Sequence, residues 1–199
     1  MKKNLYYVFL PTAVMLISGC SHVFSPSKVA EIGLDTVGVL EEKHSVQLIN
    51  GQTDNERHLI KSYWNIVIVF PIIVPIKHKH YANYKQWTDV FLVAYAEELA
   101  KRGVEVSAES PAKIYVKVSD VWWESGLWGV EGRMKLTLSS EDGSWSKEFQ
   151  RSELSKWSAN TALATLMHNL IKDLLHDSEI MDRMRIAAPT QGIDKGPSP

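Results

Sequence analysis

One cysteine, Cys20, is all the thiol chemistry this chain of 199 residues has. No disulfide can form within it, and in an exported protein a lone cysteine would ordinarily be a free or intermolecularly paired thiol. Catalytic signatures are equally scarce, with no G-x-S-x-G elbow, no H-E-x-x-H pair and no phosphate-cradling P-loop. An enzyme is therefore not expected. Positive charge is not in excess either, with 22 Lys and Arg against 23 Asp and Glu, so nucleic acid is not an expected partner. Internal repeats are lacking, and no apolar run reaches the ~20 residues that a membrane-spanning helix needs.

What is present begins at the N-terminus. Lys2 and Lys3 open a charged region, an apolar run over 5–17 follows, interrupted by Pro11 and Thr12, and Ser18 and Gly19 are small. That order is a secretory signal. The tetrapeptide Ile17-Ser18-Gly19-Cys20 resembles the lipobox of bacterial lipoproteins. The resemblance implies cleavage of residues 1–19, diacylation of Cys20 and usually a third chain on its new amine, so that the covalent lipid on Cys20 is the only group the protein carries. At ~0.8 kcal/mol per buried methylene one acyl chain binds marginally, whereas two or three hold firmly. By the bacterial sorting rule Asp after the cysteine goes with retention in the inner membrane. Ser21 stands there instead, which implies the periplasmic side of the outer membrane. Removing the 19 residues leaves 180, enough for one full core, and losing Lys2 and Lys3 takes the formal charge from −1 to −3.

Residues 20–28 (CSHVFSPSK) are short and polar enough to be a lipidated tether, 29–186 to be one α+β periplasmic domain, and 187–199, with three prolines and two glycines, to be a disordered tail. Segments 36–40 and 45–49 look like short strands, the second ending in the turn dipeptide Asn50-Gly51. Thr53 and Glu56 have capping-box spacing, which predicts a short helix over 58–63. The stretch 64–76, WNIVIVFPIIVPI, is the most apolar of the mature chain. Its β-branched residues favour a buried strand over 66–70, with Pro71 and Pro75 ending any regular element. A second reading stays open. Tyr63, Trp64, Tyr81, Tyr84 and Trp87 bracket the run and Lys77, Lys79 and Lys85 follow it, a layout suited to a membrane interface through Trp64, Phe70, Ile72, Ile73, Lys77 and Lys79.

From Trp87 the apolar residues recur at helical spacing through Leu99, Thr88 can cap the start, and Gly103 can stop the helix. Strands then alternate through 114–118, from Trp128 to Leu138, and from Trp145 to Arg151 after the Asp142-Gly143 turn. Ser158 opens a second helix whose stripe runs from Leu163 to Leu175, and Ser178 can cap a short third. The fold expected is α+β, a mainly antiparallel sheet with two long helices packed on one face. The run AEELAKRGVEV, the strand AKIYVKVSDVW, the hairpin around EDGSW and the close TALATLMHNLIKDLLHDSEI resemble YajG-like bacterial lipoproteins over roughly 87–184. That resemblance implies a small lipid-anchored α+β domain and carries no catalytic residue.

Two further groups invite a function. His78 and His80 are two apart, as zinc ligands on a strand would be, but no third ligand is near in sequence; His168 and His176 lie on neighbouring faces of the last long helix. Trp122, Trp123 and Trp128 cluster around Glu124-Ser125-Gly126, and at most one of the adjacent pair can enter the core. Packing within the chain, an envelope protein partner, and stacking on a glycan helped by Asp120, Glu124 and Glu131 all fit. The expected role is an outer-membrane interaction or assembly-accessory lipoprotein. A glycan-binding module, or a domain that dips 64–76 into the membrane, is the alternative.

Overall fold

Alternating residues build the central sheet. The protein is described by a computed structural model over residues 20–26, 39–40, 43–69, 72–156 and 158–185. Strands β1 (Cys20–Phe24), β2 (His44–Asn50), β3 (His58–Val69) and β4 (Ile72–Ala82) precede helix α1 (Tyr84–Lys101), and β5 (Val104–Val106), β6 (Lys113–Gly126), β7 (Gly129–Ser139) and β8 (Ser146–Ser155) follow it. Helices α2 (Ala159–His176) and α3 (Ser178–Arg183) close the chain. The class is α+β, with strands in two sheets rather than one: five in the order β5-β2-β6-β7-β8, and three in the order β1-β4-β3. The long pairs β3–β4, β6–β7 and β7–β8 are antiparallel, whereas the short pairs, β2 with β5 and β6 and β1 with β4, are parallel.

The five-stranded sheet buries one face. On β7 Gly132, Met134, Leu136 and Leu138 point inward, while β6 buries Ile114, Val116 and Val118 and then changes phase to Val121 and Trp123. The change comes from a register shift between Val118 and Asp120, the extra residue of a bulge. Helix α1 is fastened at that place: the Thr88 hydroxyl accepts from the Val118 amide at 3.0 Å and donates to the Tyr84 carbonyl at 2.8 Å. Thr88 is thus a joint to the sheet, and the cap is Asn83, whose side chain accepts from the Gln86 amide at 3.0 Å. Gly103 ends the helix with φ of 86°.

Ser158 caps α2 by accepting from the Thr161 amide at 3.2 Å, and the stripe from Leu163 to Leu175 lies in the core. The third helix is capped by Asp177, which accepts from the Ile180 amide, rather than by Ser178. α2 comes so close to β7 that a Cβ at Gly132 would stand 3.2 Å from atoms of Ala162, Leu163 and Leu166. A Gly132→Val variant is therefore expected to lose about 1–3 kcal/mol by overpacking, seen as a melting temperature several degrees lower by circular dichroism.

Four expectations fail in the N-terminal half. Residues 20–24 are not tether but strand β1, which pairs in parallel with β4 from Cys20 opposite His78 to Phe24 opposite Ala82. No helix forms over 58–63. There Asp54 turns the chain by accepting from the Glu56 amide at 2.7 Å, and β3 then runs unbroken to Val69. Nor is 66–70 a buried central strand: Ile66 and Ile68 are 69% and 71% exposed on one strand of a long β3–β4 hairpin. Pro75 does not end β4 but sits within it opposite Ile66. Beyond β1 no described strand covers that edge of β4, so the missing amide donor breaks no ladder there. The strand expected over 36–40 lies mostly outside the described residues, as do Phe70, Pro71 and the tail 187–199.

Candidate functional site

The β3–β4 hairpin divides into a polar base and an apolar arm. At the base, Lys61 pairs with His80, Ser62 with Lys79 and Tyr63 with His78; the next rung is Trp64 with Lys77, and from there Asn65 is the only polar residue until the turn. Trp64 is 62% exposed, with the Lys77 ammonium 5.6 Å from its ring. Exposed apolar strands of this kind are rare on protein surfaces that meet only water. Of the candidate membrane contacts, Trp64, Lys77 and Lys79 lie where base meets arm. Ile72 and Ile73 pair with Val69 and Ile68 near the tip, and Phe70 lies outside the described residues.

Cys20 falls at the same boundary. Because β1 is parallel to β4, the N-terminal end of β1 points the same way as the tip of the arm. Cys20 is level with His78, one rung from the Trp64–Lys77 pair, and β4 extends six residues beyond it to Ile72. At about 3.3 Å per residue the arm reaches roughly 20 Å past the cysteine, against about 15 Å for half of a bilayer's hydrocarbon.

The base is held to the body by Trp123. His80 of β4 meets the Trp123 ring edge-on at 5.0 Å between centroids, and the Lys61 ammonium lies 4.6 Å above it. His80 is 8% exposed and both its ring nitrogens lack a hydrogen-bond partner. Burial first, then the nearby His22, His78 and Lys61 charges, hold its pKa below the ordinary imidazole value. His22 stacks on His80 at 5.1 Å and on His78 at 5.9 Å, and Tyr63 stacks on both. The pair predicted from spacing therefore has a third imidazole beside it, brought by β1 from 56 residues away. The rings lie face to face rather than converging on a point, and among the described residues no group of three His, Cys, Asp or Glu has the arrangement of a metal site.

The three tryptophans of the β6–β7 hairpin do not share one surface. Trp123 is buried in the joint just described, Trp122 lies half-buried beneath the Arg133 guanidinium at 5.0 Å, and Trp128 stands 84% exposed in the turn beside Leu127 at 98%. Asp120 pairs with Arg133 at 3.4 Å, and Glu124 faces Glu131 across the hairpin. Since Trp123 is three residues from the end of β6, this turn lies at the end of the body from which the arm departs. His176 Nδ1 donates to the Lys172 carbonyl at 2.7 Å, a bond within its own helix.

No family model matches the chain, and neither does any curated protein. A solved structure described as "Crystal structure of uncharacterized protein" is similar at 10% identity over 78% of this chain and 97% of its own, with a TM-score of 0.40. That likeness carries no argument. Among the described residues no helix is long and apolar enough to cross a membrane.

Proposed function

We propose that the protein is a non-catalytic, lipid-anchored protein of the cell envelope, held on the periplasmic face of the outer membrane by Cys20 and by the β3–β4 arm. Its α+β body is an interaction or assembly-accessory module standing on that double attachment. The observation that carries the reading is the register: it places Cys20 one rung from the Trp64–Lys77 pair and sends an exposed apolar hairpin onward in the direction the lipid would take. Aromatic rings and lysines at headgroup level with apolar residues beyond them are the arrangement a bilayer interface favours. Trp128 and Leu127, at the same end of the body, are available to the same surface or to a partner protein on it. With Trp123 and Trp122 engaged inside the chain, a glycan platform would rest on Trp128 alone.

The lipid is tested by growing cells with labelled palmitate. Label is expected on the wild-type protein and none on Cys20→Ser, which should also keep its signal peptide and run heavier on a gel. Equal label on both proteins would sink the lipobox reading.

A further inference from the structure

Charge on the three-stranded sheet has one sign. The described residues of β1, β3 and β4 include Lys61, Lys77, Lys79, His22, His58, His78 and His80, and neither Asp nor Glu. The mature chain is formally −3, so three lysines on this sheet leave −6 for everything else. These cations are not spread along the strands. Lys77, Lys79, His78, His80 and His22 all lie within two rungs of Cys20, and Lys61 is paired with His80, while the arm beyond has no charge at all. His58 stands apart at the far end of β3, where Asp54 pairs with it at 2.9 Å and Tyr84 stacks on it at 4.5 Å.

We propose that Lys61, Lys77 and Lys79, with His22 and His78 beside them, form a collar for the anionic phospholipid headgroups of the leaflet the arm enters. The proposal rests on the arm reading above, because only an inserted arm brings the collar to the depth of the phosphates. Each lysine at an anionic surface is worth about a fivefold gain in partitioning. His80 is surrounded by His22 from β1, Lys61 and Tyr63 from β3, His78 from β4 and Trp123 from β6, with burial favouring its neutral form. His22 is exposed and His78 half-buried on the same sheet. Of the acids on the neighbouring stretch of β6, Asp120 is paired with Arg133.

The test uses the full mature chain with Cys20→Ala, so that binding no longer depends on the lipid, and measures sedimentation with vesicles of phosphatidylcholine alone or mixed with phosphatidylglycerol. At about pH 7.5 the mixed vesicles should bind at least about 30-fold more tightly. A Lys61→Gln, Lys77→Gln, Lys79→Gln variant should lose most of the preference for phosphatidylglycerol. A His22→Gln, His78→Gln variant should keep most of it. Equal binding to the two vesicles, or a preference that survives the three lysine substitutions, would overturn the collar while leaving the arm in place. Absence of binding to either vesicle would instead overturn the arm reading and the collar with it.

Discussion

Replacing Ile66 and Ile68 by lysine in the Cys20→Ala protein is expected to lower its partitioning onto vesicles by about 30- to 900-fold. Lysine costs about 2–4 kcal/mol at the middle of a bilayer and close to nothing at its surface, so roughly 1–2 kcal/mol per substitution fits a hairpin that reaches part-way into one leaflet. Neither side chain supports the fold, since both are more than two-thirds exposed, and the melting temperature should stay within about a degree of the parent. That control separates lost insertion from lost structure. Because Cys20 is the only native cysteine, Ile68→Cys in the same background can carry a polarity-sensitive dye at a single place. Blue-shifted emission on vesicles is the expected result. If the parent Cys20→Ala protein does not sediment with any vesicle, the arm belongs in the groove of a partner protein and not in lipid.

The backbone limits how deep the arm can go. No described strand pairs with the outer edge of β3, or with β4 over 72–77, so each edge has carbonyl and amide groups that need water or a partner. In hydrocarbon each such group costs several kcal/mol, which is why open sheet edges do not cross bilayers. Pro75 lowers the count by one donor. A slanted entry, with the edges near the headgroups and the faces of Trp64, Ile66 and Ile68 turned to the acyl chains, reconciles the open edges with the apolar faces. Since every residue of 66–69 and 72–76 is apolar, lipid suits the arm better than the polar lumen of a water-filled barrel.

The sequence-based reading succeeded where a local period met a local signal. The stripe from Leu163 to Leu175 with Ser158 before it, and the even-numbered inward residues of β7, each need only their own neighbours to be recognised. It failed where the partner lay far off in the chain. β1 looks like a tether because its five residues show no pattern of their own, and its ladder partner is 58 residues downstream. Thr53 and Glu56 imitate a capping box, but the β-branched and aromatic residues after them propagate a strand instead. The apolar run 64–76 reads as core by its composition; that Trp64, Ile66 and Ile68 lie outside depends on how the hairpin leaves the body, which composition does not encode. The same distance hid the third imidazole, since nothing near His22 announces that β1 will lie beside His78 and His80.

Trp123 is the residue through which the arm and the body share their stability, and Trp123→Ala is expected to uncouple them. Removing the ring takes away the surface on which His80 and Lys61 rest, at a cost of about 3 kcal/mol for a large buried aromatic. The loss should be local. Amides of 58–63 and 78–82 are expected to exchange with solvent on the order of 100-fold faster, while those of α1 and α2, packed on Phe91, Leu166 and Leu170, keep most of their protection. Trp123→Phe, which restores a ring beneath Lys61, should recover much of the difference. The pH dependence has a definite sign: His80 is held below the ordinary imidazole value, so the unfolded chain takes up a proton before the folded chain does. Its contribution to stability is complete above about pH 6.5 and declines as the pH falls below that. Acid should thus loosen the base of the arm in solution, a slope that Trp123→Ala, by opening His80 to water, is expected to flatten. Equal loss of protection in α1, α2 and the base would mean instead that Trp123 is an ordinary part of the core and that the arm has no joint of its own.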